Sequence, residues 1–526
     1  MNLKQTPFET IPHAVMAGAQ QYGTQEAIVD GELRIDYITL RDLMLRGAGA
    51  FIADGLKPGD RVAIWAPNSA NYIVTALSVQ AAGACIVPLN TRFKSGEAHY
   101  ILNKSRVRYI VMADRFLDAD YEAMLDEGDL PHLERRIIIP QDRSTSRPDS
   151  WDAFMANAGP AARDLGSASV AALSGDAVSD IMFTSGTTGD PKGVVTTHAQ
   201  NVRVHGEFGR TVGMREGDRY LVLYPFFHCA GYKAGWLGSI LIGATIYPES
   251  VLDVASLTRK VESEKITCLP GPPTLFQSIL AVPREQRGDL SSVRLSITGS
   301  TVVPPALIYR MREELGIERV LTGYGLTETC GTVALSEADD TPETVSQSCG
   351  HAIAGMEVRC VDDAGNVLPI GETGEFVVRG YNVMKGYFED PVATAEAIDA
   401  DGWLHTGDIG ILDARGYLRI TDRKKDMFIV GGFNCYPAEI EKIMLGNPAY
   451  AQLAVIGVPD ERMGEVGKAY VVLRGGEKTT PEAVIAWCRE KMANYKVPRS
   501  VEIVSELPTN ATGKVQKFRL KNAQPG

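Results

Sequence analysis

Apolar and polar positions alternate between two patterns through the first third of the chain. Short apolar runs at Arg61–Trp65 and residues 84–89 are strand-like, whereas Tyr37–Ala53 and residues 70–82 carry apolar side chains at helical spacing. Strands that alternate with helices are typical of βαβ units around a parallel sheet. Residues 143–179 are rich in Ser, Ala and Asp, and we expect a connecting segment there. The pattern predicts a large α/β domain.

The last hundred residues follow a different pattern. Apolar runs at residues 453–458 and 469–473 predict strands, and Thr480 followed by Pro481 predicts the start of a helix. We therefore expect a small α+β module at the carboxyl end of the chain. At 526 residues the chain is too long for one hydrophobic core, in agreement with two domains.

Composition removes several classes of function. A net charge of −12 argues against a nucleic-acid-binding surface, which needs clustered Lys and Arg. The eight cysteines contain no Cys-x-x-Cys pair, so we expect reduced thiols rather than disulfides or a zinc site. The amino terminus has no apolar signal-peptide core, and the weakly charged stretch 220–247 is interrupted by Pro225, His228 and Lys233. We expect a cytoplasmic protein without a membrane span.

Residues 181–195 have the composition of a phosphate-binding loop between two strands. Between the apolar flanks lie two glycines, four hydroxyl side chains and one lysine. Glycine allows backbone to approach a ligand closely, and successive N–H groups can surround a polyanion. The spacing differs from a Walker A loop. The alternative interpretation is an ordinary solvated hairpin.

Four more segments carry side chains suited to nucleotide chemistry. In residues 323–329, Tyr324 offers an aromatic face, Thr327 a hydroxyl and Glu328 a hard oxygen ligand for Mg²⁺. Asp408 could accept hydrogen bonds from two hydroxyls, or it could simply fix a Gly-Asp turn with Gly407. Residues 296–304 are a strand followed by small residues, and residues 508–515 end in a turn that carries Lys514.

Taken together and in this order, these motifs closely resemble the adenylate-forming superfamily of acyl-CoA synthetases, luciferases and the adenylation domains of peptide synthetases. The resemblance extends from about residue 30 to about residue 520. It implies ATP, Mg²⁺ and CoA as co-substrates, with Mg²⁺ held by Thr184 and Glu328. It implies catalytic roles for Lys514, Thr327, Glu328 and His228. The residues implied to bind ATP or AMP are Thr184, Ser185, Gly186, Thr187, Thr188, Lys192, Gly299, Ser300, Thr301, Tyr324, Gly325, Thr327, Asp408, Arg423 and Lys514.

The resemblance also places an acyl pocket around His228. Amino-acid-activating relatives have an aspartate here that pairs with the substrate amine, and burying an unpaired ammonium would be costly. The substrate is therefore expected to be a fatty or other bulky carboxylic acid without an amino group. Taken alone, His228 would be interpreted as an interior histidine. The pocket residues are expected to be His228, Cys229, Gly231, Gly323 and Cys330.

Domain boundaries and the CoA site also follow from the resemblance. Residues 1–421 form the large domain, 422–425 a hinge that includes Lys425, and 426–526 the small domain. Gly431, Gly432 and Phe433 form the CoA loop. Lys514 and this loop are about 80 residues apart on one small module, so the small domain is expected to rotate between two half-reactions.

The implied reaction is that of an AMP-forming acyl-CoA synthetase. A carboxylate attacks the α-phosphorus of ATP to give acyl-AMP and pyrophosphate, and the CoA thiol then displaces AMP. Alternatives are an aryl-CoA ligase, a luciferase-like or carrier-protein-loading adenylating enzyme, and an inactive nucleotide-binding scaffold. The expected partners are small molecules, and a homodimer is a candidate assembly.

Overall fold

A computed structural model describes residues 8–142, 147–184, 190–299, 303, 305–362, 364–423, 427–508, 515 and 517–522. The chain divides into two compact units. The larger unit takes the described residues of Met1–Thr91, Leu102–Phe183 and Gly193–Thr421. The smaller takes those of Arg92–Ile101, Thr184–Lys192 and Asp422–Gly526. Within the described part of the chain, every helix is too short or too polar to span a bilayer.

The helices and strands have the following bounds. The α-helices are Ile11–Gln21 (α1), Tyr37–Ala53 (α2), Ala70–Ala81 (α3), Ser95–Lys104 (α4), Tyr121–Asp126 (α5), Trp151–Ala156 (α6), Ala162–Ala172 (α7), His198–Thr211 (α8), Gly238–Ile242 (α9), Val254–Glu264 (α10), Pro273–Ala281 (α11), Pro305–Glu314 (α12), Pro342–Gln347 (α13), Pro391–Ala397 (α14), Pro437–Leu445 (α15), Pro481–Lys491 (α16) and Lys517–Asn522 (α17). The strands are Glu26–Asp30 (β1), Leu33–Asp36 (β2), Arg61–Trp65 (β3), Cys85–Pro88 (β4), Tyr109–Ala113 (β5), Arg115–Phe116 (β6), Ala119–Asp120 (β7), Arg135–Ile139 (β8), Val178–Thr184 (β9), Lys192–Thr197 (β10), Arg219–Val222 (β11), Thr245–Pro248 (β12), Leu295–Ile297 (β13), Arg319–Leu321 (β14), Gly323–Tyr324 (β15), Ala334–Leu335 (β16), His351–Ala352 (β17), Glu357–Val361 (β18), Thr373–Arg379 (β19), Gly386–Tyr387 (β20), Leu404–Leu412 (β21), Leu418–Arg423 (β22), Phe428–Val430 (β23), Phe433–Cys435 (β24), Tyr450–Asp460 (β25), Gly464–Leu473 (β26) and Ser500–Ile503 (β27).

A seven-stranded sheet forms the centre of the large unit, in the order β20-β10-β9-β4-β3-β5-β8. The pairs from β9 to β8 are parallel, whereas β20 pairs antiparallel with β10 at one edge. Helix α3 packs beside this sheet with every side chain from Tyr72 to Ala81 buried. A helix that is apolar on all sides is buried on all sides. The predicted α/β domain with its parallel sheet is confirmed.

A second layer of the large unit is built on the four-stranded sheet β11-β12-β1-β2. Its core contains side chains from helices α11 and α12 and from strands β11 and β14, namely Leu221, Phe276, Ile279, Met311 and Val320. Farther along the chain, β18, β19 and β21 pair antiparallel, and β22 lies next to β21 in the same sheet. A short turn joins β21 and β22.

The small unit is an α+β module, as predicted. Its sheet runs β24-β23-β26-β25, and β27 pairs parallel with β26. Helix α16 begins after Thr480, whose hydroxyl accepts a hydrogen bond from the Ala483 N–H at 3.3 Å. Its apolar side packs Val484 and Cys488 into a core with Ile440 and Val455.

The expectation of a connecting segment over residues 143–179 was wrong in part, because this segment contains helices α6 and α7. The small residues serve close packing. A Cβ on Gly49 would lie 1.8 Å from the Ala162 carbonyl oxygen, and one on Gly166 would lie 2.1 Å from that of Leu45. The Ser/Ala/Gly composition therefore reflects the close approach of α2 and α7, which local sequence does not reveal.

Candidate active site

The two strands predicted around the phosphate loop are present, and β9 ends at Thr184 while β10 begins at Lys192. Ser185, Gly186, Thr187 and Thr188 lie outside the described residues. The strands are closely packed after the loop, since a Cβ on Gly193 would lie 2.8 Å from the Ile181 side chain. The described flanks therefore fix where the loop leaves and re-enters the sheet.

The fold brings together two of the predicted nucleotide-binding residues, Tyr324 and Asp408, which lie 84 positions apart in the sequence. The Tyr324 hydroxyl donates a hydrogen bond to Asp408 Oδ2 at 2.6 Å, and both side chains are buried. A Cβ on Gly325, the next residue, would lie 2.3 Å from the Gly331 carbonyl oxygen, so only glycine fits that position. The aromatic ring and the carboxylate, both predicted to bind ATP or AMP, thus form one hydrogen-bonded pair.

Asp408 lies inside strand β21, so the simple explanation that it fixes a turn was wrong. Its backbone N–H donates to the Thr406 hydroxyl at 3.1 Å. The pairing of β21 with β19 shifts register between His405 and Ile409, so Asp408 lies at an irregular point of the strand. A buried carboxylate there, held by a tyrosine hydroxyl, is suited to accept hydrogen bonds from a polar ligand.

Glu328 lies in a 3₁₀ turn, Thr327–Thr329, which Leu326 separates from Gly325. Its carboxylate Oε1 accepts a hydrogen bond from the Tyr387 hydroxyl at 2.9 Å. Among the described residues, no group of three or more His, Cys, Asp or Glu side chains is arranged to hold a metal ion. One hydrogen-bonded carboxylate fits Mg²⁺ that arrives on ATP, because Mg²⁺ at phosphates commonly takes one or two protein carboxylates.

His228 projects an exposed side chain from the loop after β11. Its Nδ1 accepts a hydrogen bond from the Ala230 N–H at 3.2 Å. Surrounding protein lowers the pKa of His228, which favours the neutral ring. Because Nδ1 accepts, the neutral ring carries its proton on Nε2. His228 is therefore arranged to donate a hydrogen bond, and it is not the satisfied interior histidine of the alternative interpretation.

The other predicted pocket residues are tightly packed. A Cβ on Gly231 would lie 2.3 Å from the carbonyl oxygens of Tyr224 and Pro225, so its small size is required by backbone packing. Cys229 is buried, with its thiol 3.7 Å from Met182 Sδ. The fully buried Cys330 accepts a hydrogen bond from His205 Nε2 through its backbone carbonyl at 2.9 Å. The small size of Gly231 is therefore no evidence for free space in the acyl pocket.

The helix that follows His228 was missed by the sequence analysis. Residues Ala230–Leu237 form a π-helix, which is rare and often occurs at functional sites. Trp236 lies on it fully buried. No periodic signal marked this helix, because eight residues with two glycines resemble a loop.

A fully buried ion pair joins this π-helix to the strand that enters the phosphate loop. Lys233 Nζ lies 3.0 Å from Asp180 Oδ1 and donates to the Thr196 hydroxyl at 2.9 Å. Asp180 Oδ2 accepts from the Ser179 hydroxyl at 2.8 Å and from the Asn201 amide at 2.7 Å. Burial would lower the pKa of Lys233, but the Asp180 carboxylate holds it above its ordinary value. We call these five residues the ionic cluster.

Of the predicted nucleotide-binding residues 299–301, only Gly299 is described, whereas the predicted CoA loop is described in full. A Cβ on Gly299 would lie 3.4 Å from the Thr322 hydroxyl, whereas Ser300 and Thr301 lie outside the described residues. In the small unit, Gly431 and Gly432 form the turn between β23 and β24 with φ of 55° and 87°, conformations that favour glycine. The Phe433 ring stacks on Tyr495 with centroids 4.6 Å apart.

Three predicted residues cannot be placed. Lys425 and Lys514 lie outside the described residues, and only the backbone of Arg423 is described, at the end of β22. All eight cysteines are described, and each is a free cysteine.

Comparisons with known proteins cover nearly the whole chain. The family model "AMP-binding enzyme" matches residues 16–388, and "AMP-binding enzyme C-terminal domain" matches residues 439–514. Two similar proteins share one name, 3-[(3aS,4S,7aS)-7a-methyl-1,5-dioxo-octahydro-1H-inden-4-yl]propanoyl:CoA ligase. The one from Rhodococcus jostii is 47% identical over 97% of this chain and 98% of its own. The one from Mycobacterium tuberculosis is 45% identical over 98% and 99%.

A similar solved structure is a double mutant of o-succinylbenzoate CoA synthetase from Bacillus subtilis, bound with its product analogue. Its TM-score is 0.82 at 28% identity, over 98% of this chain and 99% of that chain. The match in fold spans the whole length of both proteins.

Proposed function

We propose that this chain, which belongs to the AMP-binding enzyme family, joins a propanoate side chain carried on a two-ring system to CoA. The chain is an acyl-CoA ligase that uses ATP with Mg²⁺ and CoA. The proposal for the acid rests on one observation: two ligases that share 47% and 45% identity along their full length with this chain carry the same dioxo-octahydro-indenyl propanoyl name.

The first half-reaction is mainly a matter of positioning and charge stabilisation. The acid carboxylate attacks the α-phosphorus of ATP, and pyrophosphate leaves. We assign the Tyr324–Asp408 pair to adenine and ribose, and Thr184, Lys192 and the loop between them to the phosphates. Mg²⁺, when bound, neutralises phosphate charge, and Glu328 with Thr184 would hold it. Lys514 is assigned to the charge that develops between carboxylate and α-phosphate.

His228 is assigned to the acid itself. Its exposed ring accepts through Nδ1 and so presents an Nε2–H donor, which suits the oxygen of a carboxylate or acyl group. A neutral imidazole cannot replace the aspartate that pairs with a substrate amine. This supports an acid without an ammonium group. The propanoyl compound in the names of the two similar ligases has no such group.

In the second half-reaction the CoA thiol attacks the acyl-AMP carbonyl, and AMP leaves. The turn at Gly431 and Gly432 is assigned to pantetheine, since positive φ at both positions permits close backbone approach. Rotation of the small domain about residues 422–425 would present this turn after Lys514 has acted.

An aryl acid is the second candidate, because the o-succinylbenzoate CoA synthetase structure matches the fold over the full length. The test is kcat/KM for thioester formation, followed by mass detection of the product, with the two-ring propanoate, o-succinylbenzoate and octanoate. We expect kcat/KM for the two-ring propanoate to exceed the values for the other two acids by about tenfold or more, which is the range typical of apolar pockets. A higher value for either competitor would overturn this assignment.

Two further expectations stay predictions. The cytoplasmic location is checked by cell fractionation. The homodimer is checked by sedimentation of the purified chain, where a monomer at micromolar concentration would refute it.

A further inference from the structure

Strand β20 carries the tyrosine that holds the predicted magnesium carboxylate. The Tyr387 hydroxyl donates to Glu328 Oε1 at 2.9 Å. Three residues earlier, the Met384 N–H donates to the backbone carbonyl of the same glutamate at 2.8 Å. Both the backbone and the carboxylate of Glu328 are therefore held by one short segment, residues 384–387.

The same segment is fixed to the strand that leaves the phosphate loop. In the pairing of β20 with β10, Tyr387 lies opposite Val194. The Phe388 N–H donates to the Gly193 carbonyl at 2.7 Å, and the Lys385 N–H donates to that of Val195 at 2.9 Å. Three backbone features thus fix the position of Tyr387 relative to β10.

We propose that Tyr387 is a positioning residue for magnesium-bound ATP. Its hydroxyl donates to one oxygen of Glu328 and so restricts the rotation of the carboxylate that would hold the metal. Hydrogen bonds of this kind orient carboxylate ligands, and their loss commonly weakens metal binding by about 10- to 100-fold. The proposal rests on the assignment of Glu328 as the magnesium ligand.

Strand β20 has a second role in this proposal. Because it is bonded to β10 on one side and to Glu328 on the other, it sets the separation between β10 and the carboxylate. The phosphates and their metal must be held at a fixed distance from each other. A single edge strand of two residues, Gly386–Tyr387, provides that link.

The test is calorimetric binding of ATP to the full chain without any carboxylic acid, so that no turnover occurs. Each variant is measured with saturating Mg²⁺ and again with EDTA. The variants are Tyr387→Phe, Glu328→Gln and the two combined. Tyr309→Phe is the matched control, because it removes a tyrosine hydroxyl from a glutamate, Glu343, on the protein surface.

We expect Tyr387→Phe to raise the Kd of magnesium-bound ATP about tenfold while the Kd of metal-free ATP stays within twofold. The combined variant should be no weaker than Glu328→Gln alone, and Tyr309→Phe should match the unmodified chain. Thermal melting confirms that each variant is folded.

The outcomes separate the inference from its premise. Equal weakening of both forms of ATP by Tyr387→Phe would show a packing role and overturn the inference. So would unchanged binding in Tyr387→Phe when Glu328→Gln selectively weakens the magnesium form. If Glu328→Gln itself binds magnesium-bound ATP normally, the magnesium assignment of Glu328 fails, and the inference fails with it.

Discussion

The ionic cluster makes a quantitative prediction about the stability of the large unit. Lys233 and Asp180 are both fully buried, so removal of one partner leaves the other with a reduced set of hydrogen bonds in a low-dielectric interior. Breaking a buried ion pair in this way typically costs about 3–5 kcal/mol. The loss of unfolding free energy should differ between the two single variants within that range, because Asp180 and Lys233 keep different hydrogen-bond partners.

In Lys233→Met, Asp180 keeps the Ser179 hydroxyl and the Asn201 amide as donors. We expect a loss near the lower limit, about 3 kcal/mol. In Asp180→Asn, Lys233 loses its counter-charge and keeps only neutral acceptors, such as the Thr196 hydroxyl at 2.9 Å. We expect a loss near the upper limit, about 5 kcal/mol.

The combined variant, Asp180→Asn with Lys233→Met, removes both charges. Because it leaves no unpaired ion, its cost should fall below the sum of the single costs by at least about 2 kcal/mol. The control is Lys260→Met, which breaks a partly exposed pair with Glu249 and should cost less than about 1 kcal/mol.

The assay is guanidinium unfolding, with hydrogen exchange measured on the same variants under native conditions. Exchange should rise in the π-helix Ala230–Leu237 and stay unchanged in helix α16 of the small unit, since the two units are separately compact. A cost below about 1 kcal/mol for Lys233→Met, or costs that simply add in the combined variant, would refute the reasoning.

Three further predictions concern catalysis, nucleotide binding and pH. Lys514→Ala should abolish adenylation but largely preserve thioester formation from supplied acyl-AMP; equal loss of both half-reactions, assayed separately, contradicts this role. Tyr324→Phe keeps the ring but removes the hydrogen bond to Asp408, and it should raise KM for ATP about tenfold, since bonds to charged groups contribute about 1.5 kcal/mol or more. Burial lowers the pKa of His198 and of His205 to about 3. Their unfolded forms therefore bind protons at a pH where the folded forms do not, and stability should fall as pH drops from about 6.5 towards 3, by about 1.4 kcal/mol per unit for each; an unfolding midpoint that does not change between pH 6.5 and 5 would disagree.

The sequence pattern correctly predicted the helices and strands that depend mainly on residues near each other in the chain. Helix α2 and strand β3 have the bounds that their periodicity indicated, and the Thr480 cap lies where the hydroxyl and the following proline placed it. Helix α7 was missed because its small residues are explained only by their contact with α2, which is distant in sequence.

The same limit applies to the site. Tyr324 and Asp408 were each singled out by their motifs, but their hydrogen bond required the fold. Tyr387 carries no local signal, and its importance follows from a glutamate 59 residues away. Lys233 appeared in the sequence only as an interruption of an apolar stretch, because its partner Asp180 lies on another strand.

The most direct test of the account is AMP release from ATP and Mg²⁺ in the presence of the two-ring propanoate, with and without CoA. The account predicts sustained AMP formation that needs both the acid and CoA, with acyl-CoA formed in equal amount. AMP release that does not depend on CoA would contradict CoA as the acceptor and favour an enzyme that loads a carrier protein. If the two-ring propanoate, o-succinylbenzoate and octanoate all give no AMP despite normal ATP binding, catalysis is contradicted and a nucleotide-binding scaffold remains.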